Sequence, residues 1–175
     1  MARVQLIDED KAPELAGLID RIKQGRRGSL INVYRLLLRS PVLAGTWFEH
    51  LNAVRWKTGL NGRLREILII RIGWLTRTAY IMRQHVPKLA LADGLTLVEC
   101  EALQTADGAS HFNEAEAVAI AYADAMTVDV QVPDTVFDPL RRTFSEQEIV
   151  EITVLIGTYN MHARVLNALE LDLEP

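Results

Sequence analysis

Apolar residues along this chain recur mostly at intervals of three and four, the spacing that lines one face of an α-helix. Leu15, Leu18, Ile19 and Ile22 make the first such face, and the glycines at 25 and 28 end it. Ser29 is placed to cap a second helix containing Val33, Leu36 and Leu37. Ser40-Pro41 stops that helix and opens a third, with serine as N-cap and proline in the first turn, where its missing N–H costs nothing. The third helix runs through Trp47 and Val54 and should end near Gly59. A fourth begins after Asn61 and runs through Ile72; a fifth covers 80–92 and stops at Asp93-Gly94, a C-terminal glycine signal. Three capping boxes follow, Thr96 with Glu99, Asn113 with Glu116 and Ser145 with Glu148. They open a short sixth helix, a seventh through about Thr127 and a long last helix through about Leu169. A loop or extended connector fills 128–133, and a short helix follows Asp134.

The β-branched run at 67–72 has the composition of a strand, but its helical flanks and the lack of a second strand-like run argue against one. The pattern predicts an all-α bundle of about seven to eight helices in a single domain, 1–175. Residues 1–28 form its N-terminal helix and arm, and 60–95 a central helix pair. Pro87 lacks the N–H that would bond the carbonyl of Arg83, so the fifth helix should kink there.

At 175 residues the chain buries roughly two-thirds of its unfolded surface and needs no metal or disulfide staple. A net charge of −4 argues against a nucleic-acid or anionic-membrane partner, because both require a basic field. Arg26-Arg27 and Arg141-Arg142 are isolated pairs. The single cysteine, Cys100, precludes an intrachain disulfide and fits a reducing compartment. Acidic residues at positions 8, 9, 10 and 14 do not make a signal or transit peptide, and no apolar run is long enough to span a bilayer. The expected location is cytoplasmic.

The segment 66–85 concentrates the candidate chemistry. Glu66 and His85 stand nineteen positions apart, on helices four and five, and would have to meet across the turn near 73–78. Thr78, Ile81 and His85 share a helix face. A carboxylate beside the imidazole would hold one tautomer and leave the other nitrogen free for proton transfer. Plain alternatives stand beside each assignment. Glu66 could be a carboxylate favoured by the helix dipole, His85 a surface or satisfied core residue, and Tyr80 a packing residue. Arg71 could bind an anionic substrate or be an exposed or interface arginine. Tyr159 and His162, three apart on the last helix, could face the same pocket or lie on a solvated or subunit-contacting face. His50 and His111 have no recognisable context, and no pair has the spacing of a helix-borne metal site. Residues 65–73 are echoed weakly at 150–157, each run being followed by a tyrosine and a histidine.

The 66–85 segment resembles the signature of the carboxymuconolactone decarboxylase and alkylhydroperoxidase-D (AhpD-like) superfamily. In its peroxidase branch a glutamate lies nineteen positions before a histidine, and a Cys-x-x-Cys pair lies seven and four before it. Glu66 and His85 match, whereas the cysteine positions are Thr78 and Ile81. Many thiol-free members read Tyr-Glu-Trp-x-x-His. Here Tyr80 and His85 match while Ile81 and Met82 replace the acid and the tryptophan, making the pocket drier and less acidic. The resemblance implies an AhpD-like helical bundle that assembles as a homo-oligomer, trimer or hexamer.

Peroxide reduction by this scaffold needs a thiolate and a resolving thiol, so the pattern argues against a dithiol peroxidase. The resemblance to the decarboxylase branch implies instead a proton-transfer enzyme without metal or organic cofactor, acting on a small organic acid, lactone or enolisable carbonyl compound. His85 is then the acid/base, Glu66 its partner and Tyr80 a hydrogen-bond donor, with Thr78, Ile81, Arg71, Tyr159 and His162 lining the substrate pocket. Two further readings remain open: a peroxidase-type member that has lost its redox cysteines, or uses Cys100 with an external thiol, and a non-catalytic oligomer that binds a small molecule or protein.

Overall fold

A computed structural model describes residues 2–26, 28–105 and 107–174; Arg27, half of one basic pair, lies outside them. Among the described residues all regular structure is helical, in nine α-helices with short 3-10 and π segments. The chain divides into two units, residues 1–57 with 165–175, and residues 58–164.

The first unit contains α1 (Ala16–Gln24), α2 (Asn32–Leu37) and α3 (Pro41–Trp56). Ile19 and Ile22 of α1 are buried, as are Val33, Tyr34 and Leu36 of α2 and Phe48, Leu51 and Val54 of α3. Tyr34 meets Phe48 edge-on at 5.8 Å. Ser29 does not cap α2: its N–H bonds the carbonyl of Arg26 in the turn after α1, and the N-cap is Ile31. Gly28, at φ 84°, carries the chain away from α1, so the helix starts later than the serine suggests. Ser40 is the N-cap of α3 by position, with Pro41 in the first turn. The C-terminal tail belongs to this unit: Arg3 N–H bonds the carbonyl of Leu169, and its guanidinium pairs with Glu170 at 2.6 Å.

The second unit is built around α4 (Gly62–Leu75), capped by the Asn61 side chain. Every residue from Leu64 through Gly73 is buried, so this helix is apolar nearly all round because it is a core element. That explains why 67–72 has a strand-like composition without being a strand. Helix α4 packs on α5 (Ala79–Gln84), α7 (Glu114–Asp124) and the π segment His85–Ala90. Gly73 permits the approach of α5: a Cβ there would lie 2.8 Å from Met82 Sδ and 3.1 Å from Ile81 Cγ2.

The kink expected at Pro87 takes the form of that π segment, which begins at His85. Removing one N–H breaks the regular ladder, and widening the helix absorbs the break. All three capping boxes are made: Thr96–Glu99 on α6 (Leu97–Ala102), Asn113–Glu116 on α7 and Ser145–Glu148 before α9 (Glu146–Ala168). Helix α7 passes into a second π segment, Ala125–Asp129, and α8 (Asp134–Thr143) packs on α7. Among the described residues no helix is long and apolar enough to cross a membrane.

Candidate functional site

Glu66 lies in the second turn of α4, past the first turn to which the helix dipole is confined, and it is fully buried. Its Oε2 is 2.6 Å from His85 Nδ1. Its Oε1 faces Arg65 Nε at 3.6 Å, and Arg65 Nη2 is 2.7 Å from Asp93 Oδ2. A buried carboxylate requires compensation by charge and hydrogen bonds; here an imidazole stands on one oxygen and a guanidinium on the other. His85 is itself 5% exposed, set at the first position of the π segment. An ionised Glu66 accepts the Nδ1 proton, which leaves Nε2 as the basic nitrogen.

The hydroxyl of Tyr159 stands 3.5 Å from Nε2, with the two rings edge-on at 5.6 Å and 82°. That separation is long for an O–H···N bond. His162 also packs on the tyrosine, with ring centroids 5.8 Å apart. Tyr159 and His162 are therefore buried beside the pair, and neither lies on a solvated face. Tyr80, expected as the hydrogen-bond donor, is buried on α5, and Tyr159 on α9 brings a phenol to His85. Near Tyr159, the Asn160 amide donates to Thr127 Oγ1 at 2.9 Å.

Thr78 and Ile81 are buried, and the Thr78 hydroxyl lies 2.9 Å from that of Thr76. Arg71 is neither exposed nor poised for a substrate anion. Its Nε and Nη2 grip Asp124 at 2.6 and 2.8 Å, and Nη1 donates to the carbonyl of Leu103 at 2.7 Å. This guanidinium fork joins α4 to α7 and to the end of α6.

Cys100 is buried among Ile67, Ile70, Leu95, Leu103 and Phe112, and burial pushes its thiol up, with the Glu99 and Glu66 charges adding to the effect. Its carbonyl accepts the Trp74 indole N–H at 3.0 Å. Its burial and raised thiol oppose thiolate chemistry. Among the described residues no three histidine, cysteine or carboxylate side chains are grouped so as to hold a metal ion. A surface hollow bordered by Leu60, Asn61, Leu64, Glu116, Phe144 and Glu148 includes none of the site residues, and its two glutamates are engaged in capping boxes.

Reading the sequence overlooked Arg65 and Asp93. Asp93 stands in the sequence only as part of the turn that ends the fifth helix, and an arginine directly before the glutamate is the one available signal.

The sequence profile of the Carboxymuconolactone decarboxylase family matches residues 41–125. Several solved structures share the fold. A protein of unknown function from Agrobacterium tumefaciens, considered an AhpD antioxidant defence protein, is 26% identical with a TM-score of 0.74, covering 79% of this chain and 95% of its own. An uncharacterized peroxidase-related protein from Silicibacter sp. TM1040 is 18% identical with a TM-score of 0.84, over 99% of this chain and 92% of that one. A cysteine-to-alanine variant of the debrominase Bmp8, in complex with 2,3,4-tribromopyrrole, is 21% identical with a TM-score of 0.80, over 98% and 91%. No functionally curated protein matches the chain significantly.

Proposed function

The chain belongs to the superfamily of carboxymuconolactone decarboxylases and AhpD-like proteins, in a form without the Cys-x-x-Cys pair, and on that premise we propose a cofactor-free proton-transfer enzyme acting on a small organic acid, lactone or enolisable carbonyl compound. The observation that carries this reading is the 2.6 Å contact between Glu66 Oε2 and His85 Nδ1, both buried. Glu66 fixes the tautomer, and Nε2 takes a proton from the carbon next to a carbonyl. The C–H electron pair passes to the carbonyl oxygen as an enolate, which Tyr159 stabilises by donating its O–H. Return of the proton from Nε2 to carbon or oxygen completes the turnover. Cys100 takes no part, being buried with a raised thiol pKa. Thr78 and Ile81 line the pocket, and His162 backs Tyr159. A structural neighbour's complex with tribromopyrrole supports a small organic molecule as the ligand class.

The reading includes a trimer or hexamer, as the family resemblance implies. The exposed Val150, Val154 and Met161 on α9 support contact with a second copy, and sedimentation velocity at micromolar concentration checks it.

Wash-in of solvent deuterium, followed by ¹H NMR over a panel of β-keto acids, lactones and enolisable ketones, tests the chemistry. At least one compound should exchange, and His85→Ala should slow that exchange by about 10²–10⁴-fold. Exchange of none, or exchange indifferent to His85→Ala, would leave the fold a binding role and remove the enzymatic one.

A further inference from the structure

Glu66 and His85 are the inner end of a longer row of alternating charges. Asp93 follows the π segment and stands against the first turn of α4, where its Oδ2 holds Arg65 at 2.7 Å. Arg65 is only 6% exposed and turns its Nε toward Glu66 Oε1. The seat of Asp93 depends on Gly62, since a Cβ at that position would lie 2.5 Å from Asp93 Oδ1 and 2.8 Å from its Cγ. The row therefore reads Asp93, Arg65, Glu66, His85, running from a partly exposed carboxylate to a buried imidazole.

We propose that Arg65 and Asp93 are positioning residues that set the proton affinity of the Glu66–His85 pair, with Arg65 holding Glu66 ionised and Asp93 offsetting the charge Arg65 brings. This rests on the reading of His85 as the proton-transfer group. Groups near the pair include Tyr159 and His162 from α9, Cys100 from α6, whose thiol feels the Glu66 charge, and, on the packed helix α5, the buried Tyr80. Of these only His162 titrates near neutrality in its ordinary state, so its signal must be followed beside that of His85. Charges at such separations in a protein interior act strongly enough to move a titration. Removing the Asp93 charge makes the surroundings of the pair more positive and lowers its proton affinity. Removing the Arg65 charge does the reverse.

The test is a pH titration of imidazole ¹⁵N shifts in the full chain, with His85 assigned by its loss in His85→Gln. Asp93→Asn should lower the His85 midpoint by about half to one pH unit, and Arg65→Gln should raise it by a similar amount. Gly62→Ala, which displaces Asp93 without deleting a charge, should shift the midpoint in the same direction as Asp93→Asn, and Asp93→Glu should restore it. Should Arg65→Gln not fold, the partly exposed Asp93 and the glycine variant still decide the matter. An unmoved midpoint in both Asp93→Asn and Gly62→Ala overturns the proposal, and so does an Arg65→Gln shift of the same sign as Asp93→Asn. Midpoints that move as stated while deuterium exchange ignores His85→Ala would sink the proton-transfer reading and leave the electrostatic coupling standing.

Discussion

A carboxylate with no solvent exposure survives in a helix core only where its neighbours replace water, and Glu66 has an imidazole and a guanidinium to do so. Glu66→Gln keeps the shape but supplies an amide that no longer fixes the Nδ1–H tautomer. Exchange should fall by about 10²-fold while the far-ultraviolet circular dichroism stays unchanged, and unchanged exchange would show that His85 works without its partner. Cys100 makes the opposite case. Buried in apolar surroundings with its thiol pushed up, it should react with an aromatic disulfide reagent only as fast as the protein opens; mixing the native chain with reagent at neutral pH checks this. The Glu66–His85 pairing was legible because the nineteen-position separation matches the family signature that the segment resembles. The distance of the Tyr159 hydroxyl from His85 was not, because it is set by tertiary packing that no local spacing encodes. Arg71 was misread for a similar reason, since its acceptors Asp124 and Leu103 lie on distant elements.

Helices were easier to read than their departures from regularity. Capping boxes announce themselves within four residues, and all three are made. A proline inside a helical pattern announces a break but does not say how the backbone absorbs it, so the π segment at His85–Ala90 was legible only as a kink. The segment at Ala125–Asp129 contains no proline to mark it. The contact between α4 and α5 depends on Gly73. Gly73→Ala should destabilise the protein by about 1–3 kcal/mol through overpacking against Ile81 and Met82, measured by urea denaturation. Adding Met82→Ala should recover part of the loss, because the nearer obstacle is the flexible Met82 sulfur. Strict additivity of the two changes would refute that account.

Across the molecule, acid sensitivity should trace to Arg63, which ties Glu99 and Glu116 together at 2.5 and 2.7 Å. The Arg63 hydrogen bond is the main reason the Glu99 carboxyl is lowered from 4.5 to about 2. Its folded pKa lies below its unfolded value, so its contribution to stability is complete above about 4.5 and fades as pH falls toward 2. Arg63→Gln should flatten the pH dependence of the urea midpoint within that window and leave a lower plateau above it. An identical slope in both proteins would place the acid-sensitive group elsewhere.

The hydrogen bond from the Trp74 indole to the Cys100 carbonyl also has an optical consequence. Trp47 and Trp56 belong to the first unit and Trp74 to the second, so replacing the first two by phenylalanine leaves a single tryptophan, in the unit that contains Glu66 and His85. Its half-buried ring should emit at shorter wavelength than free indole and shift to the red on denaturation. A change in that emission on adding a β-keto acid, lactone or enolisable ketone would give a substrate search a readout that needs no turnover.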